Sequence, residues 1–329
     1  MTVSIEDIRA AAERLAGVTV VTPLVRSPDI DERIGGTLLI KPECLQRTGS
    51  FKLRGAYNLM SQLSAEDARR GVVAWSSGNH AQGVAAAGSM LGIETTIVMP
   101  EDAPAAKIEN TRRLGGTTVL YDRYSGDREQ IARGIAAETG AALVPSYEHE
   151  HIIAGQGTMG LELMAQAAEQ RLVPDQVLIC CGGGGLSSGS AIAIKDASAD
   201  TDVILVEPED FDDTRRSLET GQREGNDPDA RSICDALLSP TPGEMTLSIN
   251  RELCSAAVTV SDDDVRHAMR VAFRDLKLVV EPGGAVALAA VLAGKVETKG
   301  LTTAVVLSGG NVDEAMYAEI QREEGLNRA

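Results

Sequence analysis

The sequence predicts an α/β fold in which mostly parallel sheets are covered by helices on both faces. Two observations carry this. Short Val- and Ile-rich runs alternate with helical patterns over most of the 329 residues. Those runs are apolar throughout rather than at every second position, as in strands buried on both sides. Hydrophobic residues make up 43% of the chain and aromatic residues only 3%, so the core must be built from Ala, Val, Leu and Ile. The length suits one large domain or two lobes sharing a cleft.

The chain opens on an amphipathic helix. Ser4 precedes Asp7 by three residues, and Ile8, Ala11, Ala12 and Leu15 recur at helical spacing. Strands are predicted at Thr37–Ile40, Val72–Trp75, Thr95–Met99, Thr117–Tyr121, Ala142–Val144, Gln176–Cys180, Val203–Val206 and Thr303–Leu307. Helical patterns lie between them at Ser64–Arg70, Ala105–Leu114, Asp127–Thr139, Gly160–Glu169 and Asp263–Lys277. The polar stretch Thr220–Asp229 reads as a surface excursion.

Lys and Arg number 31 against 48 Asp and Glu, a formal charge of −17. Such a surface repels phosphate backbones and anionic lipid, which argues against nucleic-acid and membrane partners. No apolar run has the length of a membrane span, and the first residues lack a signal-peptide pattern. Cys44, Cys180, Cys181, Cys234 and Cys254 are odd in number and fit no zinc spacing, so buried free thiols in a cytoplasmic protein are expected.

Four segments place polar or glycine residues where a strand ends, the edge at which ligands collect in open α/β sheets. In Thr48–Ala56, Ser50 is the expected N-cap and Lys52 falls in the first helical turn. The positive end of the helix dipole there disfavours a charged amine, and a lysine so placed can form an imine with a carbonyl cofactor. Ser76-Ser77-Gly78-Asn79-His80 follows a strand and opens an Ala-rich helix, which suits a carboxylate or phosphate. Gly182-Gly183-Gly184-Gly185-Leu186 lets backbone amides converge on a phosphate, and it lacks the Gly-Lys-Ser/Thr of a nucleotide loop. Ser308-Gly309-Gly310-Asn311 closes the last strand with a neutral hydroxyl. Each segment alone also has a plain reading, as a solvated helix start, a turn or a flexible loop. The run Glu207–Asp213 offers oxygen ligands for a hard cation such as Mg²⁺ or Ca²⁺, or is an acidic turn.

Together these segments, in this order from about Ile5 to Asp313, resemble the serine/threonine dehydratase and serine racemase family of fold-type-II pyridoxal-phosphate enzymes. The resemblance implies a tryptophan synthase β-like fold. Residues 1–68 and 148–329 would form a large cofactor-binding lobe, and residues 69–147 a small mobile one. It implies that Lys52 carries pyridoxal 5′-phosphate, Phe51 packs on its ring, Asn79 bonds the phenolic oxygen, and Gly182 to Leu186 cradle the phosphate. Ser308 would face the ring nitrogen with Glu281 close by, and Ser76, Ser77, Asn79 and His80 would hold the substrate carboxylate. Glu207, Asp213 and the Phe211 carbonyl match the positions of a divalent-cation site, and a homodimer is implied by resemblance alone.

The expected reaction is β-elimination of a small β-hydroxy amino acid, L-threonine or L-serine, to a 2-oxo acid and ammonia. Arg128 matches a position that meets a second carboxylate, which makes 3-hydroxyaspartate the alternative substrate. Ser77 matches the second proton donor of the racemases, a further alternative. A non-catalytic phosphate-binding module would use the glycine loop and leave Lys52 and Ser308 unexplained. The chain departs from the family pattern at Ala236, where glycine is usual, and over Leu237–Glu244. An extra methyl there would narrow the pocket. The short stretch after Asp313 leaves no room for a regulatory domain, so a catabolic role is expected.

Overall fold

The computed structural model describes residues 2–103, 105–122 and 126–322. Among these residues the strands are β1 (Thr37–Pro42), β2 (Val72–Trp75), β3 (Thr95–Pro100), β4 (Thr117–Tyr121), β5 (Ala142–Leu143), β6 (Gln176–Cys180), β7 (Asp202–Pro208), β8 (Ala256–Val260) and β9 (Thr302–Leu307). They form two sheets, one in the order β1-β9-β6-β7-β8 and the other β4-β3-β2-β5. Every strand pair is parallel. Parallel neighbours need crossovers, and helices supply them on both faces.

The helix Pro282–Leu292 has no charged side chain, and its first ten residues are all buried. A helix apolar all round has to be covered on every side, and this one lies against β6, β7, β8 and β9. The second sheet has its own core. Val72, Ala74, Ile97 and Met99 pack with Ala81 and Val84, and with Leu53, Leu59 and Ile152 from elements outside 69–147. Fully burying one such aliphatic side chain contributes roughly 1.5–3 kcal/mol.

Charge is buried too. Arg54 is wholly enclosed, its guanidinium 2.7 Å from Glu43 and 2.7 Å from Glu162, and the buried Lys41 ammonium lies 2.7 Å from Glu162. This network ties β1 to the helices Lys52–Met60 and Glu150–Glu169.

Three expectations need correcting. Ser50 does not cap the Lys52 helix: Phe51 holds that place without a side-chain cap bond, and the Ser50 hydroxyl is buried without a partner. Ser50 is instead bridged to Gly309, so β9 sets where the helix starts. The helix expected at Gly160 begins at Glu150. Gly155, Gly157 and Gly160 look like helix breakers in sequence but are contact points. A Cβ on them would lie 2.6 Å from the Arg54 carbonyl oxygen, 2.7 Å from that of Gly189 and 2.9 Å from that of Ser190. Glycine is present here because two neighbouring backbones come too close for anything larger. Strand β8 was not expected, and it lies at the sheet edge, mostly half-buried. The Ser4–Asp7 capping box forms as expected.

Candidate active site

The carboxyl ends of β6 and β9, the start of the Lys52 helix and the start of the helix Asn79–Leu91 converge on one cleft. Chain stitching brings them there. The Phe51 amide donates to the Ser308 carbonyl at 3.2 Å, Gly310 to Gly49 at 2.8 Å, and Glu281 to Gly309 at 3.0 Å.

Lys52 is the first residue of its helix. Its ammonium donates to the Ser146 carbonyl at 3.0 Å and stands 5.1 Å from the centre of the Phe51 ring. Burial pushes its pKa down to about 8, because a charged amine is poorly solvated there. A Cβ on Gly83 would lie 3.0 Å from the Lys52 carbonyl carbon, so glycine at 83 lets the two helices meet at their positive ends.

Asn79 and His80 are buried, and Ser76, Ser77 and Gly78 are half-buried. The Gly78 amide donates to the Ser76 hydroxyl at 3.2 Å. The Asn79 side chain donates to Glu281 at 2.5 Å and accepts from Asn311 at 2.7 Å. His80 Nε2 lies 2.8 Å from the Val144 carbonyl oxygen. A carbonyl only accepts, so Nε2 carries the proton and Nδ1 is a bare acceptor, buried without a partner. Burial, with the Lys52 charge nearby, pushes the His80 pKa down to about 3, so the ring is neutral.

The four glycines link β6 to the helix Gly185–Ala197. Gly184 has φ of +88° and serves as the N-cap. The Thr246 hydroxyl holds the Gly183 carbonyl at 2.7 Å. Tyr147 lies against the loop so closely that a Cβ on Gly183 would be 2.2 Å from its ring. Leu186 is buried at the foot of this helix. The first amides of such a helix lack intrahelical partners and face an anion.

Ser308 is buried beside the Cys180 thiol, whose pKa burial pushes up to about 11. Both groups are therefore neutral. Glu281 is also buried, and burial with the Asp235 charge raises its pKa to about 7. Across the cleft, Lys107 is ion-paired with Asp235. Ala236 lies next to that pair, with its Cβ 3.2 Å from where a Cβ on Gly283 would be.

These residues fit pyridoxal phosphate: a desolvated amine, a glycine loop at a helix start, and unpartnered polar atoms on Ser50 and His80. Arg128 opens the helix Arg128–Thr139 on the exposed side, and its charge reaches Tyr147.

Glu207 and Asp213 lie apart from the cleft, both fully buried. Glu207 accepts from the amides of Thr214 at 3.1 Å and Arg215 at 2.8 Å. Asp213 accepts from Asn226 at 2.6 Å on one oxygen, and its other oxygen is buried without a partner. Burial and the Asp213 charge raise the Glu207 pKa to about 8. Phe211 is buried between them in sequence. No group of three or more His, Cys, Asp or Glu side chains suited to a metal occurs among the described residues.

Sequence reasoning missed Tyr147, Lys107, Asp235 and Cys180. Cys180 stands one residue from the glycine loop and Asp235 directly before Ala236, but only tertiary placement shows that these four side chains line the cleft.

Residues 15–309 match the family model described as "Pyridoxal-phosphate dependent enzyme". The chain is 43% identical over 317 residues to L-threo-3-hydroxyaspartate ammonia-lyase from Pseudomonas sp, covering 96% of this chain and 98% of that one. A threonine deaminase from T.th. superposes with a TM-score of 0.88 at 44% identity, over 94% of this chain and 99% of that one. Maize serine racemase superposes with a TM-score of 0.92 at 35% identity, over 97% of each chain. With the cleft geometry and these likenesses in agreement, the chain belongs to the pyridoxal-phosphate-dependent enzymes.

Proposed function

We propose that this enzyme eliminates water from a small β-hydroxy amino acid, and that hydrolysis of the resulting enamine takes up one water and releases ammonia, leaving a 2-oxo acid. The observation that carries this is the Lys52 amine, buried, hydrogen-bonded to a carbonyl and with a pKa of about 8. When bound, pyridoxal phosphate supplies an aldehyde carbon for imine exchange and a ring that draws electrons from Cα.

The amides from Gly182 to Leu186 would hold the phosphate. Phe51 and Asn79 would hold the ring, and Glu281 positions Asn79. The segment Ser76 to His80 binds the α-carboxylate at a helix start. Lys52 Nζ, as a free amine beside the substrate, would take the Cα proton and give a proton to the departing hydroxyl. Ser308 and Cys180 offer the ring nitrogen only neutral groups. With neutral groups beside it, the ring nitrogen would not be held protonated, a setting that would favour elimination over transamination. The small lobe, residues 69–147, closes over the substrate and excludes water.

For substrate we favour L-threo-3-hydroxyaspartate. Arg128 supports this, since its charge reaches Tyr147, which packs against the glycine loop, as does the likeness to the Pseudomonas enzyme. Threonine or serine is the second reading, favoured by the exposure of Arg128 and by the likeness to threonine deaminase. Racemisation through Ser77 would show as substrate recovered with inverted configuration. Glu207, Asp213 and the Phe211 carbonyl would hold a divalent cation, Mg²⁺ or Ca²⁺. The enzyme works as a homodimer in the cytoplasm, where its five free thiols stay reduced.

The test is 2-oxo acid release from L-threo-3-hydroxyaspartate, L-threonine and L-serine, with and without Mg²⁺. Preference for the hydroxyaspartate supports the first reading. Preference for threonine replaces it with the second, and no release from any of them removes the elimination chemistry.

A further inference from the structure

At the end of β6, adjacent side chains face opposite ways. Cys180 stands beside Ser308 and the Lys52 charge. Cys181 turns away from them, and its sulfur lies 3.5 Å from the Thr214 hydroxyl and 3.7 Å from the Ser187 hydroxyl.

Those two hydroxyls belong to different sites. Ser187 is in the first turn of the phosphate helix. It donates to the Gly184 carbonyl at 3.0 Å and accepts from Asn250 at 3.1 Å. Thr214 follows Asp213 directly, and its amide is held by Glu207 at 3.1 Å. An unbroken series of polar contacts therefore runs from Glu207 through Thr214, Cys181 and Ser187 to Gly184. Every side chain on it is buried, with Cys181 1% exposed and Ser187, Thr214 and Glu207 each at 0%. Packing this dense leaves little room for one end to move alone. At the far end, one oxygen of Asp213 is buried without a partner and so is open to a ligand.

We propose that Cys181 is a positioning residue that couples the Glu207–Asp213 pair to the phosphate loop, so that a divalent cation on the pair tightens the hold on the cofactor phosphate. This rests on the cation reading given above. A cation drawn to Asp213 fixes the start of the helix Asp213–Thr220, and with it Thr214. Cys181 passes that placement to Ser187 and to the Gly184 turn. Coupling of this kind is reciprocal, so a filled phosphate loop strengthens cation binding by the same factor.

The experiment uses holoenzyme and Mg²⁺. Cation binding is measured by calorimetry. Cofactor loss is followed by visible absorbance after dilution into a phosphatase that destroys free pyridoxal phosphate, with and without Mg²⁺. Mg²⁺ is expected to slow cofactor loss from the unaltered enzyme by roughly 5- to 100-fold. In Cys181→Val the ratio should fall to within about twofold while Mg²⁺ still binds, since coupling and not ligation has been removed. Thr214→Val breaks the same contact from the other side and should behave alike, which guards against one variant misfolding. Full Mg²⁺ dependence in both variants overturns the proposal, as does Mg²⁺ binding with no effect on the unaltered enzyme. Failure of Mg²⁺ to bind at all overturns the cation reading, and the coupling with it.

Discussion

The Asn79 amide donates to the Glu281 carboxylate at 2.5 Å, joining residues 202 apart in sequence and, through Asn311, the end of β9. Asn79 is thus oriented from behind by an acid whose own pKa is raised to about 7. Replacing Asn79 with Ala leaves that acid buried without its donor. A loss of about 1–3 kcal/mol is expected from denaturant unfolding, together with a shift in the visible absorbance of bound cofactor.

Lys52→Ala is expected to abolish turnover, with a fall of more than ~10³-fold in 2-oxo acid release. The unaltered apoenzyme adds a pH signature. Because the Lys52 pKa is lowered from 10.5 to about 8, the free amine accumulates as pH rises toward that value. Imine formation should quicken between about pH 7 and 9 and then level off, as followed by absorbance. A rate still rising beyond about pH 10 would mean that burial does not act on this amine. The stability sign follows. The unfolded lysine keeps its proton between the two pKa values and the folded one does not, so this group makes stability rise with pH across that window.

Gly183→Ala would put a methyl group into the Tyr147 ring, at 2.2 Å. Weaker cofactor retention is expected, by about tenfold or more for a clash of 1–3 kcal/mol. Adding Tyr147→Ala should recover part of the loss. A double variant no better than the single one would place the damage in the loop amides themselves.

Arg128→Ala tests substrate choice. If its guanidinium meets a second carboxylate, turnover of 3-hydroxyaspartate should fall by about 10- to 100-fold, the size of a lost charged hydrogen bond, while threonine turnover changes by less than about threefold. Equal effects on both would make Arg128 a surface residue.

Arg54→Met leaves Glu43 fully buried without a cation. Removing one partner of such a pair costs about 3–5 kcal/mol. The melting temperature should drop, and cofactor binding should weaken because Lys52 is two residues away on the same helix.

Much of the fold was legible because buried parallel strands are apolar throughout. Eight strands lie where Val and Ile cluster, and β6 matches its predicted range to the residue. Strand β8 escaped because an edge strand need not be apolar on both faces. The first half of the helix Glu150–Glu169 escaped because its glycines signal a break locally. Their real cause is a neighbouring backbone, which no window of sequence contains. The same contrast holds in the cleft. Lys52, Asn79, the glycine loop and Ser308 announce themselves through strand-end motifs. Tyr147 and Asp235 do not, because only tertiary placement brings them there. Ser50 stood in a recognisable capping position, and its bridge to Gly309 overrode that local preference.

The glycine contacts along the helix Glu150–Glu169 have an evolutionary consequence. That helix touches the Lys52 helix at Arg54 and Gly55, and the phosphate helix at Gly189 and Ser190, backbone against backbone. The two segments that we propose as anchors of the cofactor, the Lys52 helix and the glycine-loop helix, are thereby held at a spacing that side-chain substitution elsewhere does not adjust. Change in the side chains around the cleft can therefore alter what it admits while leaving the seat itself in place.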